Sequence, residues 1–299
     1  MFFWTDQHET PLTTAVIHRN LKAVERLGQH VDHRFAKNYL GFNGIEMARY
    51  LGDKECTKIL EPQRKRQFHI LLRGEKSIRT IREAEYENCL HFTYQPHLTF
   101  AGYDVFKQVI HDCPYKNVGT FSEMEIQEIL SHQSLEEMTK QQTLTPEILA
   151  IHSRLYQEKI NKGFFADTAI KWIDDVLGYG VFTNQDLKAG DYIGEYTGAI
   201  KLYYRFPFGK FFDLNEYCYV YPRRLLSRRS FIIDPKASGN EMRFVNHSSY
   251  EPLLVPKLVV DRRLTHIIFV AGVDISKGTQ LTYDYGEDYW RRRDPPLDI

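Results

Sequence analysis

The pattern of apolar and polar positions changes twice along this chain. The N-terminal third places apolar side chains at helical spacing, and the next stretch continues as helical segments separated by breaks. From Phe164 onward, short runs rich in Val, Ile, Tyr and Phe are bounded by Gly or Asp, which is typical of strands. The pattern predicts an α+β protein with helical repeats over 1–62, a helical connector over 63–162, a mostly β domain over 163–286 and a short tail over 287–299.

The N-terminal third repeats itself. Residues 9–27 can be laid over residues 42–60 with a shift of 33 residues, which is the period of one helix–turn–helix repeat. The shift superimposes Leu12 on Ile45, Ala15 on Ala48, Asn20 on Asp53 and Leu27 on Leu60. The segment TPLTTA resembles the TPLHxA signature of ankyrin repeats, although Asn43 and Gly44 replace the usual Thr-Pro in the second copy. The resemblance implies two ankyrin-like repeats that bind a further protein, and an unrelated helical hairpin is the alternative.

The connector contains start and stop signals for helices. Thr145, Pro146 and Glu147 predict the start of one helix, because proline at the first helical position loses no needed donor, and Asn161 to Gly163 predict its end. Two capping boxes are predicted earlier, at Ser122 with Glu125 and at Ser134 with Glu137. The basic cluster Arg64 to Arg66 reads as a solvated helix end, with a nuclear address as the alternative.

Composition excludes several classes of function. The 39 basic and 39 acidic residues cancel, which argues against a protein that mainly grips phosphate backbones, and no direct nucleic-acid site is evident. The four cysteines form no CxxC pair, so no zinc ribbon or disulfide framework is predicted, and a reducing intracellular compartment fits best. No run of about 18 apolar residues occurs. The N-terminus lacks the pattern of a signal peptide, so neither a membrane span nor an export signal is expected.

Four short motifs occur in order in the C-terminal part. They are Gly178-Tyr179-Gly180, EYTG at 195–198, RFVNHS at 243–248 and YDYG at 283–286. Each is weak alone; two glycines around one aromatic residue more often mark a tight turn than a ligand site. As an ordered set they resemble the SET-domain protein lysine methyltransferases, over roughly residues 164–299. The resemblance implies a pseudoknot, in which the YDYG segment passes beneath the loop after NHS and both motifs meet at one active site.

The resemblance also implies the roles of individual residues. S-adenosylmethionine is expected to contact Gly178, Tyr179, Gly180, Asn246, His247, Tyr285 and Trp290. Tyr285 is the expected catalytic tyrosine, Tyr196 a second hydroxyl on the wall of the lysine channel, and Tyr283 the position that limits product size. Either Trp290 or Tyr289 is a candidate to lie on the adenine, and packing of Trp290 against the core is the alternative. No acidic partner stands at useful spacing from His247, so it is expected to be neither a general base nor a metal ligand.

A tyrosine-lined channel suits methyl transfer to lysine. A lysine amine with a pKa of about 10.4 is protonated at neutral pH and cannot attack a methyl sulfonium. Desolvation beside a positive sulfonium lowers that pKa, because burial and like charge both disfavour ammonium. Hydroxyls and carbonyls then orient the amine, so proximity and electrostatics are sufficient without a metal.

The sequence departs from the family after the NHS motif. Many members carry a cysteine there and a cysteine-rich tail that binds zinc, whereas this chain has Ser249 and no cysteine in residues 286–299. The two losses are mutually consistent and predict a domain without metal. A triplet of basic residues, Arg291 to Arg293, reads as a solvated terminus.

The predicted function is methylation of lysine on a protein, with a histone tail as the leading substrate because histones dominate the family. A catalytically silent module that recruits a partner through its ankyrin-like surface is the alternative, since the segment after Ser248 is altered. An intracellular location compatible with the nucleus is expected. An effector that an intracellular bacterium delivers to host chromatin, and thus to a host nucleus, also fits this pairing by fold-level analogy.

Overall fold

Two helix pairs with the same design lie at the N-terminal end. The computed structural model describes residues 9–61, 66–115, 124, 145–203, 214–222 and 230–290. The first helices are α1 (Pro11–Ile17), α2 (Leu21–Gly28), α3 (Val31–Phe35), α4 (Gly44–Tyr50) and α5 (Lys54–Leu60). Thr10 caps α1 and Asn43 caps α4, each in a reciprocal capping box, and Asn20 and Asp53 cap α2 and α5. The helix pairs repeat with the predicted spacing; their identity as ankyrin repeats stays a prediction.

The connector is not helical throughout, so that part of the prediction is wrong. It contains β1 (Gln67–Leu71), β2 (Arg79–Arg82), α6 (Glu83–Leu90), β3 (Thr93–Tyr94), β4 (Thr99–Phe100), α7 (Tyr103–His111) and α8 (Pro146–Asn161). Residues 67–71 form strand β1 because they pair on both sides. The pairing is antiparallel with β2 and parallel with a strand 100 residues further along the chain. Such tertiary pairing overrides local propensity. Helix α8 begins and ends where the sequence predicts, after Thr145 and before Gly163. The two predicted capping boxes lie outside the described residues.

The C-terminal region is built from short strands, as predicted. They are β5 (Thr168–Asp174), β6 (Gly178–Thr183), β7 (Tyr192–Glu195), β8 (Gly198–Tyr203), β9 (Tyr219–Tyr221), β10 (Ser230–Gly239), β11 (Asn246–His247), β12 (Leu254–Asp261), β13 (Leu264–Ala271) and β14 (Thr282–Tyr283). A 3-10 helix (Glu241–Phe244) precedes β11, and α9 (Glu287–Trp290) ends the described chain. The strand orders are β2-β1-β5-β6, β3-β10-β8-β4 with β9 on β10, β12-β13-β7, and β11-β14.

Arg262 joins the helical N-terminus to the β region. It lies in the two-residue turn between β12 and β13, where Arg262 and Arg263 both have positive φ, at 46° and 67°. Its guanidinium donates to the carbonyl oxygen of Gly41 and to the carboxylate of Glu46, each over 2.7 Å, and lies 4.1 Å from the centre of the Phe42 ring. One apolar core runs from the repeat helices into the β region. The described residues include no helix with the length and apolarity of a membrane span.

Candidate active site

The NHS and YDYG motifs, which the sequence analysis predicts to form the active site, meet through a pair of two-residue strands. Strand β11 pairs in parallel with β14, with Asn246 opposite Thr282 and His247 opposite Tyr283. The backbone N–H of Ser248 also donates to the carbonyl oxygen of Tyr283 over 3.2 Å. These segments are far apart in sequence, so the pairing confirms that the NHS and YDYG motifs come together as predicted.

Tyr285 lies at the centre of the aromatic cluster. Its hydroxyl donates to the carbonyl oxygen of Val245 over 2.7 Å. Its ring centre lies 4.6 Å from that of Tyr283 and 4.7 Å from that of Tyr289, and its ring is stacked almost parallel to Trp290. Burial raises the pKa of Tyr285 above its ordinary value, so the phenol stays protonated at neutral pH. Because its proton is directed at a carbonyl, the hydroxyl presents an acceptor to anything beside it.

Tyr196 and Tyr283 line the same interior. The Tyr196 hydroxyl donates to the carbonyl oxygen of Tyr217, and the Tyr196 ring lies 5.7 Å from that of Tyr219. Burial, then the neighbouring Tyr285 phenol, raises the pKa of Tyr196 well above its ordinary value. Tyr283 is 8% exposed, and its ring centre lies 4.6 Å from that of Phe269. Both tyrosines are therefore neutral hydroxyls in an apolar setting, as a lysine channel requires.

The glycine motif lies on strand β6 beside Asn246. The Asn246 side-chain amide donates to the carbonyl oxygen of Tyr179 over 3.3 Å. A Cβ added at Gly180 would lie 2.7 Å from Ile173 Cδ1 and 3.3 Å from the same Asn246 amide nitrogen, so a larger residue would displace these side-chain ends. Gly178 has φ +70° at the end of the β5–β6 hairpin, and the turn alone accounts for its glycine.

His247 is held by backbone rather than by a catalytic carboxylate. Its Nδ1 accepts from the N–H of Tyr285 over 3.1 Å, and the ring is 4% exposed at the side chain. The sequence pattern overlooks Asp284, whose carboxylate lies 3.8 Å from the same Nδ1. That distance is too long for a hydrogen bond. The backbone contact at Nδ1 gives the ring an orienting role.

Trp290 lies inside this cluster. Its ring centre is 4.9 Å from that of His247, and its indole Nε1 is a buried donor with no partner among the described residues. The side-chain amide nitrogen of Gln280 is also buried and unpartnered in this part of the structure. It lies 3.1 Å from the position that a Cβ would take on Gly180. The Gln280 donor beside Gly180 and the Trp290 donor beside His247 fit a ligand with acceptor atoms, such as the adenosine and carboxylate of S-adenosylmethionine.

Several positions here escape the sequence analysis. The carbonyl oxygens of Val245 and Tyr217 hold the two key hydroxyls, and a main-chain acceptor leaves no side-chain signal in a sequence. Asn240 donates to the carbonyl oxygen of Glu195 over 2.7 Å and so joins β7 to the segment before the 3-10 helix. The Tyr289 hydroxyl donates to the carbonyl oxygen of Glu216 over 3.1 Å. The tyrosines at 217, 219 and 221 were the available sequence signal for the wall that Tyr217 and Tyr219 form beside Tyr196.

No group of three or more His, Cys, Asp or Glu side chains with metal-binding geometry occurs among the residues described. No disulfide joins the four cysteines, all of which lie in the described ranges: Cys56, Cys89, Cys113 and Cys218. The absence of metal from the native domain stays a prediction.

Comparison with known proteins identifies the C-terminal region. Residues 178–286 match the family model for the SET domain. A putative histone-lysine N-methyltransferase 1 of Plasmodium falciparum is 38% identical over 116 residues, which cover 37% of this chain and 2% of that protein. Human histone-lysine N-methyltransferase EHMT1 is 32% identical over 118 residues, which cover 38% of this chain and 9% of that protein. The matched segment is thus a small part of the length of these relatives.

One solved structure aligns with a larger share of the chain. The crystal structure of ATXR5 in complex with a histone H3.1 aligns with 69% of this chain and 86% of that chain, at 17% identity and a TM-score of 0.46. The match to the family model, not this alignment, shows a SET domain over residues 178–286, and the sequence relatives include histone-lysine methyltransferases.

Proposed function

We propose that this protein transfers a methyl group from S-adenosylmethionine to a lysine side chain of a protein, with histones as the leading substrate class. The observation that carries the proposal is the parallel pairing of β11 with β14, which puts His247 opposite Tyr283 and lets its ring accept from the Tyr285 N–H. Relatives of the SET segment are named as histone-lysine N-methyltransferases.

The cofactor site in this proposal lies on β6 and β11. Gly180 and Tyr179 contribute backbone, Asn246 and His247 fix the neighbouring strand, and Trp290 closes the site from the C-terminal side. Gly178 supplies the turn that leads into β6. When bound, S-adenosylmethionine supplies an electrophilic methyl group on a positive sulfonium. The buried amide of Gln280 beside Gly180 and the buried indole nitrogen of Trp290 beside His247 are the polar groups that fit its acceptor atoms.

The lysine amine is expected between the phenols of Tyr285, Tyr196 and Tyr283. Burial raises the pKa of all three phenols, so none of them serves as a base at neutral pH. Instead, burial in this apolar interior lowers the pKa of the incoming amine, which loses its proton to solvent on entry. The oxygens of Tyr285 and Tyr196, whose protons point at backbone carbonyls, accept from the amine N–H groups and aim its lone pair.

The test is incubation of the purified chain with isotope-labelled S-adenosylmethionine and core histones, followed by mass spectrometry of the modified residue. Label on a lysine side chain is the expected result. The proposal fails if the folded protein binds the cofactor, shown by calorimetry, and yet modifies neither histones nor other protein substrates. That outcome would identify a silent binding module.

A further inference from the structure

The SET match at 178–286 is contacted from outside by the guanidinium of Arg66, which precedes strand β1. Its guanidinium pairs with the Glu241 carboxylate over 2.7 Å and also donates to the Tyr94 hydroxyl. It lies 5.1 Å, 5.2 Å and 5.6 Å from the ring centres of Phe68, Tyr94 and Phe165. A guanidinium held by a carboxylate, a hydroxyl and three ring faces is fixed in position and orientation.

Glu241 depends on this cation. Its side chain is 4% exposed, and among the described residues Arg66 provides its one ion pair. Its second carboxylate oxygen is buried without a partner in the same part of the structure. Burial raises the pKa of Glu241, and the charge of Arg66 offsets part of that rise. A buried carboxylate with one partner keeps its position only while that partner stays.

The pair acts on one wall of the site through the chain that follows Glu241. Glu241 is the first residue of the 3-10 helix that ends at Phe244. The next residue, Val245, offers the carbonyl oxygen that accepts the Tyr285 hydroxyl, and Asn246 donates to the glycine strand. An anchor at Glu241 therefore fixes the start of the segment that holds the proposed catalytic hydroxyl and the cofactor amide.

The same guanidinium also contacts the Phe165 ring, which packs on strand β7 before Tyr196. A Cβ added at Gly194 would lie 2.3 Å from the Phe165 ring, so this ring rests directly on the backbone of β7. Gly194 is followed by Glu195 and then by Tyr196, the second hydroxyl of the proposed channel. Arg66 thus reaches two segments: the one that follows Glu241, through the ion pair, and strand β7, through the Phe165 ring. In the proposed function a substrate lies between these two segments.

We infer that Arg66 is a positioning residue for methyl transfer: through Glu241 and Phe165 it sets the distance between the Asn246 segment and the Tyr196 strand. The inference rests on the function proposed above and adds a residue outside the SET match at 178–286. Arg66 touches neither substrate nor cofactor, so it acts on geometry rather than on chemistry. Loss of Arg66 is expected to raise KM for S-adenosylmethionine more than it lowers kcat.

A double variant separates positioning from simple stability. Arg66→Met leaves the Glu241 carboxylate buried without its cation and is expected to lower Tm. The combined variant Arg66→Met and Glu241→Met removes both charges and keeps the apolar stems, which commonly restores stability after loss of a buried pair. If Arg66 positions the site, the double variant recovers Tm but keeps a KM for S-adenosylmethionine about tenfold or more above that of the native protein. Recovery of the native KM together with Tm would overturn the inference.

The matched control is the ion pair between Arg49 and Glu61. Arg49 is 17% exposed, comparable to Arg66 at 26%, whereas Glu61 at 26% is more exposed than Glu241 at 4%. The pair joins α4 to the residue after α5. Arg49→Met with Glu61→Met should leave both kinetic constants at native values. Arg66→Lys keeps the positive charge but loses the planar set of N–H donors of the guanidinium. It should give an intermediate KM, since lysine cannot hold the Glu241 carboxylate and the Tyr94 hydroxyl in one plane.

Hydrogen exchange gives a readout that needs no turnover. In the native protein without cofactor, amides of 192–196 and 240–247 should exchange more slowly than in the Arg66→Met and Glu241→Met double variant, and the Arg49 control should match the native protein. Unchanged exchange in both segments would contradict the inference even if the enzyme is active. If exchange changes in the double variant but the native protein does not bind S-adenosylmethionine, the proposed function is rejected. The structural link from Arg66 to the two segments then still stands.

Discussion

The hydroxyl of Tyr285 donates to the carbonyl oxygen of Val245, the residue that stands immediately before Asn246. The proposed catalytic phenol is thereby fixed to the proposed cofactor segment by a single hydrogen bond of 2.7 Å. A donor fixed in this way keeps one orientation throughout a reaction, and a preorganised polar group needs no rearrangement when charge develops.

Tyr285→Phe is expected to lower methyl transfer about a hundredfold or more, because the oriented oxygen is lost while the ring remains. The Val245 carbonyl loses its donor, so the free energy of unfolding should fall by only about 1 kcal/mol. Turnover with labelled cofactor and urea unfolding measure the two effects. Tyr221→Phe is the matched control, since its buried hydroxyl contacts the Thr265 N–H of β13 rather than the Val245 or Tyr217 carbonyl; it should lose stability and keep turnover. Near-native turnover in folded Tyr285→Phe would reject the assignment.

Tyr283→Phe is expected to shift the product toward trimethyl-lysine. The Tyr283 side chain is buried between Phe269 and Tyr285, so its hydroxyl can hold a water beside the amine. That water occupies the volume of a further methyl group, and adding the group would also break hydrogen bonds. The native protein should therefore stop at mono- or dimethyl-lysine. Mass spectrometry after exhaustive turnover decides the point, and abundant trimethyl-lysine from the native protein would show that Tyr283 does not limit the product.

A chelator is expected to leave both activity and Tm unchanged. Ser249 stands where many family members have a zinc-binding cysteine, and a serine hydroxyl is a poor zinc ligand. The buried indole of Trp290 packs on His247, so aromatic contacts close this side of the domain. Elemental analysis of protein purified without added metal provides the direct measurement. One zinc per chain, with activity lost after chelation, is the contrary result.

Stability is expected to depend on pH through His266 and Glu195. Their side chains are 1% and 2% exposed, and Nδ1 of the histidine contacts the carboxylate. Burial lowers the pKa of His266, but Glu195 and then Asp261 raise it, against a smaller opposing effect of Arg262, and the net shift is upward. A raised pKa in the folded state means that the stabilisation is complete below the ordinary histidine pKa of about 6.5 and is lost as pH rises through the folded value.

His266→Gln is the variant that isolates this contribution, because glutamine can still donate to Glu195 but does not titrate. The difference in unfolding free energy between native protein and variant should be larger at pH 6 than at pH 9. Urea unfolding across that range gives the measurement. A difference that stays constant or grows with pH would mean that the pair is not ionised as described.

The sequence reveals the catalytic segments better than it reveals their supports. Asn246 and Tyr285 stand in motifs whose order is specific, so their meeting could be predicted. The partners of their polar groups are mostly main-chain carbonyls, such as that of Val245, which any residue supplies. The pairing of Arg66 with Glu241 joins positions 175 residues apart with opposite charges that occur throughout the chain, and nothing local selects that combination.

The starts of the N-terminal helices have local sequence signals, whereas strand β1 of the connector has none. The caps at Thr10 and Asn43 are local, so the helix starts could be predicted from neighbouring residues. Strand β1 has no such local cause, because its identity depends on hydrogen bonds to β5. A short apolar run such as this one fits a helix turn or a strand equally well until its neighbour is known.

The central place of β1 in the order β2-β1-β5-β6 determines where the gene can be cut for expression. A fragment that begins at the predicted boundary of residue 163 would retain β5 and β6 but lose the strand that covers the other side of β5. The open backbone of β5 would then be free to recruit the same edge of a second fragment, and unpaired strand edges of this kind promote aggregation. Fragments that keep the chain from residue 66 onward retain β1 and β2, so β5 stays paired on both sides. Solubility of the isolated SET segment should follow strand β1 rather than the family boundary.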